Sequence, residues 1–297
     1  MKPLTHEFTS RQIMNHPFYE FFHYLDASAP EVEFHSHDFY EVLIYLKGDI
    51  SYSVEGRIYQ LRPGDILFTH PADIHRPVIK SQKPYERYVL WLSQEFISHS
   101  KEVGDDLSAC FSSAKEKKYC LIRPQENTLL TIHQHCQKIQ RLMGERGFGV
   151  ANLLYGSIND LLVYLNRAYF ETPDSIRDDI DENDIVNQVI GYMDDHLCED
   201  LTLENLAEEF HISKYYLTHR FKLYTGLPLY QFLMKKRLGI SLNLLEQGMP
   251  VLEASLACGF GDYSNYLKAF KREYGQTPKY YQKEKTEEGT IRDSKRQ

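Results

Sequence analysis

The chain has 297 residues, 42% of them hydrophobic and 26% charged, a balance that excludes global disorder and sets a length prior of about two domains. Its net charge of −8 argues, averaged over the chain, against a nucleic-acid partner, but charge has to be read again for each domain. No apolar run approaches the roughly 18 residues of a membrane span, and Met1-Lys2-Pro3-Leu4-Thr5 opens no signal-peptide core, so a cytoplasmic protein with no membrane partner is expected. The five cysteines, Cys110, Cys120, Cys136, Cys198 and Cys258, are odd in number and scattered. That pattern excludes a disulfide scaffold and a cysteine zinc site of usual spacing.

Residues 18–95 read as short strands: Tyr19–Tyr24, Tyr40–Leu46, Ile50–Val54, Ile66–Thr69 and Tyr88–Leu92. Turn signals at Lys47-Gly48-Asp49, Glu55-Gly56 and Pro63-Gly64-Asp65 separate them, and closely spaced short strands indicate a barrel or sandwich. Alternation along a strand puts His35, His37 and Glu41 on one face with Phe39 and Leu43. With His75 from a neighbouring strand they form a His₃Glu set suited to Zn, Fe, Mn or Ni. The spacing H-x-H-x₃-E-x₆-G resembles the first cupin motif. Pro63-Gly64-Asp65 through His75 resembles the second more loosely, because its glycine-to-histidine interval is longer. Two readings stay open at this point: a divalent metal held by His35, His37, Glu41 and His75, or a metal-free polar pocket floor. In the second, Phe39, Tyr45, Tyr52 and Trp91 supply aromatic walls, and the histidines, Glu41 and Arg87 suit a sugar or another hydroxylated small molecule.

From about Gln125 the period changes. Leu129, Ile132, Cys136, Ile139 and Met143 recur at helical spacing, as do Leu154, Ile158, Leu161, Leu162 and Leu165, with Gly144-Glu145-Arg146-Gly147 between the runs. An antiparallel helix pair follows, whose leftover apolar stripe either packs on the barrel or also pairs with a twin in a homodimer. Residues 171–183 begin Glu171-Thr172-Pro173-Asp174-Ser175, acidic and carrying a proline, and are the best linker candidate.

Beyond it the charge separates. Eight acids and no Lys or Arg lie between Asp184 and Glu209, whereas Phe210 to Lys283 carries eleven bases against four acids, a local net of +7. A positive block in an acidic protein marks a phosphate-binding surface. Leu203–Phe210 is a short amphipathic helix with Thr202 as N-cap. His211-Ile212 is a turn, and Ser213 caps a second helix over Lys214–Tyr224 that stops before Gly226. Leu217 and Phe221 face inward, leaving Tyr215, Thr218, His219 and Lys222 outside. This is a helix-turn-helix. The pattern recurs in Val251–Cys258, the turn Gly259-Phe260-Gly261-Asp262, and Tyr263–Tyr274 before Gly275. There Tyr266 and Phe270 face inward and Ser264, Asn265, Lys268 and Lys271 outward. Between the units, Pro228–Gln247, with proline at the first helical position, makes a rod of about 30 Å. B-DNA repeats every 34–36 Å or so, and such a rod sets two recognition helices in successive major grooves.

Residues 184–282 resemble the DNA-binding domain of AraC-type transcription regulators. The resemblance rests on Leu206-Ala207, Ile212-Ser213-Lys214-Tyr215-Tyr216-Leu217, Arg220-Phe221-Lys222 and Thr225-Gly226. It continues through Arg237-Leu238, Leu244-Leu245, Gly259-Phe260, Asp262, Ser264, Phe270-Lys271, Gly275, Thr277-Pro278 and Tyr281. Gln282, where an Arg often stands, and Ser255, where Ala is usual, depart from the pattern. The resemblance implies base contacts from Tyr215, Thr218, His219, Ser264, Asn265 and Lys268, a cupin-like effector barrel at the N-terminus, and a homodimer. The expected fold class is therefore α+β: a cupin-like barrel with a helix pair over residues 1–170, a linker over 171–183, an all-α double helix-turn-helix domain over 184–283, and a polar tail over 284–297. The expected function is a non-enzymatic, sequence-specific regulator. Its partners are double-stranded DNA, a small-molecule effector and, for an activator, RNA polymerase. A metal-dependent cupin enzyme with an accessory DNA-binding domain and a nucleoid-type binder without effector are the competing classes.

Overall fold

The computed structural model describes His6, residues 13–172 and residues 180–283. The first seven strands are β1 Tyr19–Asp26, β2 Tyr40–Lys47, β3 Ile50–Val54, β4 Arg57–Gln60, β5 Ile66–Thr69, β6 His75–Ile79 and β7 Tyr85–Leu92. There follow α1 Gln94–Val103, α2 Ala109–Glu116, β8 Leu121–Ile122, α3 Glu126–Met143 and α4 Val150–Glu171. Then come β9 Ile180–Asp181, α5 Asp184–Asp195, α6 Leu203–Glu209, α7 Lys214–Thr225, α8 Leu229–Glu246, α9 Val251–Ala257 and α10 Tyr263–Tyr274.

The strands form two antiparallel sheets, one in the order β1-β7-β2-β5-β8 and the other β6-β3-β4-β9. One apolar core joins side chains of both, including Tyr45, Leu67 and Trp91 from the first sheet and Tyr52 and Tyr59 from the second. Val42–Tyr45 of β2 is buried on both faces. The reason lies outside the barrel, where helices cover the larger sheet: Phe111 of α2 meets Phe68 edge-on at 5.4 Å, and His133 of α3 meets Tyr88 at 5.9 Å. Strands covered on both sides read as continuous apolar runs. Helices α1 and α2 were not foreseen. Each is only two or three turns long. The hydroxyl of Ser93 caps the first by accepting the Phe96 amide at 3.1 Å, and Cys110, Phe111 and Ala114 bury one face of the second.

The expected linker is flanked by described elements on both sides. Helix α4 runs to Glu171, residues 173–179 lie outside the described residues, and β9 already pairs with β4, setting Ile58 against Asp181. The foreseen tail, 284–297, also lies outside the described residues.

In the helical region, two cores share one helix. Leu229, Phe232 and Leu233 at the start of α8 pack with α5, α6 and α7, whereas Met234, Leu238, Leu242 and Leu245 pack with α9 and α10. The helix begins at Leu229, one residue later than expected, with Pro228 in the N-cap position. Its 18 residues span about 27 Å. Left-handed Gly226 (φ 70°) and Gly275 (φ 74°) end α7 and α10, a conformation that glycine adopts without a Cβ penalty.

Candidate functional site

The two recognition helices are built alike. The Ser213 hydroxyl accepts the Tyr216 amide at 3.1 Å, and the Asp262 carboxylate accepts the Asn265 amide at 2.7 Å. Each cap satisfies an orphan N–H of the first turn. Leu217 and Phe221 of α7, and Tyr266 and Phe270 of α10, are wholly buried as expected. The opposite faces are open: Tyr215, Thr218, His219 and Lys222 on α7, and Ser264, Asn265, Lys268 and Lys271 on α10, are all exposed. Tyr215, at 82% exposure, lies roughly parallel to the His219 ring on the same outer face, with centroids 6.3 Å apart.

The basic block needs a correction. Three of its eleven bases, the run Lys235-Lys236-Arg237, serve the fold instead of the DNA face. Lys235 is ion-paired with Glu273. Arg237, buried, donates from Nε to the Leu197 carbonyl at 2.9 Å and from Nη2 to the Glu199 carbonyl at 2.7 Å, closing the end of α5. Lys236 is buried between the Glu55 carboxylate at 3.0 Å and that of Asp194 at 2.9 Å. The two departures from the family pattern also have partners. Ser255 Oγ donates to the Leu252 carbonyl at 2.7 Å, and Gln282 Nε2 donates to the Met249 carbonyl at 2.9 Å beyond the end of α8.

In the barrel the structure gathers most of the predicted cluster by a different route. Strand β2 starts only at Tyr40, so His35 and His37 are not on it. They sit on the extended segment before it, which touches the second sheet through a bridge between His35 and His75. One potential ligand atom from each of His35, His37 and His75 lies within 4.8 Å of the others. Each ring's Nδ1 is 2.9 Å from a backbone carbonyl, that of Glu33, Phe39 and Asp73 respectively. A carbonyl only accepts, so Nδ1–H donates, and in the neutral ring Nε2 keeps the lone pair. Nε2 of His37 and of His75 is buried without a hydrogen-bond partner. The Glu41 carboxylate stands 3.6 Å from His37 Nε2 and 3.8 Å from His75 Nε2, and accepts from Trp91 Nε1 at 2.6 Å. Burial, helped by the neighbouring histidines, pushes the His75 imidazole well below its ordinary range. Burial works against the Glu41 charge, and only protonation of the neighbouring imidazoles would act the other way and lower that carboxyl.

The result is a set of acceptors with too few donors. Such a set fits either a cation or a ligand bearing hydroxyl hydrogens. Phe39 stacks on His37 at 3.7 Å and lies 4.6 Å from Trp91, and Tyr52 stacks near His75 at 6.1 Å, so these three aromatics do wall the cluster. Arg87 and Tyr45 do not. The register sets Trp91 opposite Glu41 but Arg87 opposite Tyr45, four residues away and therefore roughly 13 Å along the strand. There Arg87 is ion-paired with Asp26 and lies over the rings of Tyr24 and Tyr85 at 4.6 and 4.1 Å.

The barrel and the helical domain are docked on each other. Glu55, on the β3–β4 turn, accepts the Ile74 amide at 2.6 Å through Oε1 and Lys236 at 3.0 Å through Oε2. Beside it a cleft runs between Tyr59, Phe111 and Lys118 of the barrel and Ile190 and Asp194 of α5. Glu55 and Lys236 were missed as a pair. Position 236 follows Phe232 by four and Leu233 by three, the spacing of the buried face of α8, and that was the available signal.

Comparison with known proteins follows the same division. Residues 17–146 match the family of AraC-like ligand binding domains, and residues 206–284 match a helix-turn-helix domain family. The HTH-type transcriptional activator RhaS of Salmonella arizonae is 27% identical over 262 residues, covering 85% of this chain and 87% of that protein. Among solved structures, the DNA-binding domain of AdpA, a global transcriptional factor in complex with a target DNA, is 29% identical. It covers 34% of this chain and 91% of that one, with a TM-score of 0.33. ToxT of Vibrio cholerae is 13% identical, covers 89% of this chain and 96% of that one, and has a TM-score of 0.36. Among the described residues no helix is long and apolar enough to cross a membrane.

Proposed function

The chain belongs to the AraC-type family of transcription regulators, with a ligand-binding domain ahead of a helix-turn-helix DNA-binding domain, and from that premise we propose how its parts divide the work. Residues 1–170 are the effector domain and 184–283 the DNA-binding domain, with the join at 171–183. Helices α7 and α10 enter successive major grooves of one operator. Tyr215, Thr218, His219, Ser264, Asn265 and Lys268 face the bases, and Lys222 and Lys271 face phosphates. The observation that carries this reading is that two capped helices, each with a polar outer face, are mounted on the single rod α8. Asn265 has the geometry for adenine, and Lys268 for guanine or phosphate.

The cluster of His35, His37, Glu41 and His75 is the effector site, with Phe39, Tyr52 and Trp91 as its walls. Its unpartnered lone pairs match the hydroxyl hydrogens of a small hydroxylated molecule, a sugar among them. A divalent metal would be held by the same three Nε2 atoms with Glu41 beside them, and would supply a Lewis-acidic anchor for an effector oxygen. The chain regulates and does not catalyse. It works as a homodimer through α3 and α4, where Leu130, Leu153 and Phe170 are more than half exposed, and pairing raises operator affinity through effective concentration.

The test is recovery of random fragments of the host genome on the purified full-length protein at moderate salt. Enrichment of a few promoters sharing two half-motifs about one helical turn apart supports the reading. Uniform recovery overturns sequence-specific binding.

A further inference from the structure

Four of the five cysteines are buried and Cys198 is exposed. Cys110, Cys120 and Cys136 belong to the barrel core, where burial pushes their thiols up and keeps them protonated. Cys198 and Cys258 lie in the helical domain, one in each unit. Cys198 is in the loop after α5, and Cys258 is the C-cap of α9. The Cys198 thiol donates to the Ala257 carbonyl at 2.6 Å. A methyl group on Gly259 would lie 2.9 Å from the Cys198 α-carbon and 2.5 Å from the Leu197 carbonyl oxygen. Cys198 is therefore set against both chain neighbours of Cys258. Consecutive α-carbons are about 3.8 Å apart, which holds those of the two cysteines within ~8 Å of each other. A disulfide spans roughly 4.4–6.8 Å between α-carbons. Arg237 clasps the same loop, donating to the carbonyls of Leu197 and Glu199 on either side of Cys198. A cation beside a thiol favours the thiolate, which is the reactive form.

We propose that Cys198 and Cys258 are a peroxide-responsive thiol pair, whose disulfide joins the two helix-turn-helix units and weakens operator binding. Cys198, the exposed sulfur, reacts first. Its electron pair attacks one oxygen of a hydroperoxide, the O–O bond breaks, and the departing oxygen takes up the thiol proton. Sulfur is oxidised to a sulfenic acid and the peroxide is reduced to water or an alcohol. The Cys258 sulfur then attacks the sulfenic sulfur. The S–S bond forms, the S–O bond breaks, and the hydroxide leaves with the Cys258 proton as water. The order follows from burial, which pushes the Cys258 thiol up to about 12 against the pull of Arg237. The bond is made at the expense of packing. Cys258 sits in the second helical core with Leu238, Tyr266 and Phe270, and Gly259 has no room toward the loop. A close-packed turn shifts as a piece when it is pulled. Drawing the sulfurs together therefore displaces residues 259–262, and with them Asp262, the cap of α10. Helix α10 then no longer stands at its reduced spacing from α7. The consequence for DNA rests on the two-groove reading proposed above, whereas the disulfide itself does not.

The experiment treats the full chain with hydrogen peroxide and maps its thiols by peptide mass spectrometry without reduction. The expected product is a peptide joining Cys198 to Cys258, lighter by two hydrogens than its separate halves, reversed by dithiothreitol and absent in Cys198→Ser and in Cys258→Ala. Should Cys258→Ala fail to fold, Cys198→Ser, at an exposed position, carries the control alone. Anisotropy titration of a promoter fragment recovered in the genomic test should show affinity at least ~5-fold weaker after oxidation, as expected when the spacing of two groove-reading helices is disturbed. Dithiothreitol should restore the affinity, and peroxide should leave that of Cys198→Ser unchanged. Cys198 ending as a sulfinic acid, or joined to Cys198 of a second copy, overturns the pair. The cross-link with unchanged or tighter binding overturns the regulatory consequence and leaves the pair standing. Recovery of no promoter by the reduced protein overturns the two-groove reading, and the cross-linked peptide then decides the thiol pair by itself.

Discussion

Replacing Lys236 with Met removes one cation from a buried interdomain contact and leaves Glu55 facing an apolar side chain. Lys236 is 6% exposed and lies 3.0 Å from Glu55 and 2.9 Å from Asp194. Breaking a buried pair by deleting one partner costs about 3–5 kcal/mol, because the remaining charge is stranded. At roughly 2–4 °C per kcal/mol, the melting temperature of the full chain should fall by between roughly 6 and 20 °C. The loss should depend on pH. Burial already raises the Glu55 carboxyl to about 7, against the pull of Lys236, and without that lysine it rises further. A carboxyl with a raised folded value binds its proton more tightly when folded than when unfolded. Its own stabilising contribution is present below about pH 4.5 and disappears as pH climbs through 7. The variant should therefore be most damaged at pH 8 and much less at pH 5.5, where Glu55 is protonated. Lys236→Met combined with Glu55→Gln should recover most of the deficit at pH 8. Thermal denaturation of the wild type, both single variants and the double at the two pH values completes the cycle. An equal deficit at both pH values, or a double variant no better than Lys236→Met, would refute the argument that a stranded carboxylate sets the cost.

Other expectations concern the DNA face. Lys222→Ala and Lys271→Ala should each weaken binding about equally on all sequences and flatten the slope of log K against log salt by ~1; an unchanged slope in anisotropy titrations takes that lysine off the phosphate face. Asn265→Ala should cost about 1–3 kcal/mol on the preferred operator and relax selectivity at a single base pair; selection of bound sequences from a random pool checks this, and an undiminished preference at every position counts against base contact. Asp262→Ala removes the cap whose carboxylate takes the Asn265 amide and should lower stability by about 0.5–2 kcal/mol, measured by urea unfolding; no change would mean that water replaces the cap without loss.

Helices were easiest to read where period and caps agreed. Ser213, Thr202, Gly226 and Gly275 announce the ends of α6, α7 and α10 through local chemistry, and the structure places all four as caps. The cluster was legible as a set of residues because extended chain alternates whether or not it pairs, so His35 and His37 converge on Glu41 from outside β2. Arg87 was misplaced for a related reason: alternation assigns a face but not a position along the strand, and that position is fixed by the register with β2. The charge count failed at Lys235-Lys236-Arg237 because summing charge ignores which face of α8 each residue occupies. Glu55 stayed hidden because its cationic partner, Lys236, which it shares with Asp194, comes from a domain that begins more than a hundred residues later, a pairing no local signal encodes.

The shared helix also determines how the two helical units are held relative to each other. Both helical units build their cores on α8, the first from Leu229, Phe232 and Leu233 and the second from Leu238, Leu242 and Leu245. Altering the spacing of the two recognition helices would require repacking one of those cores. Moving the whole unit requires only that its outer surface leave the barrel, and that surface includes α8 itself, at Lys236 and Gly239. Any displacement of α8 relative to the barrel would therefore carry both recognition helices together. The distance between the two recognition helices of one chain is therefore set by packing on α8 and not by the contact with the barrel.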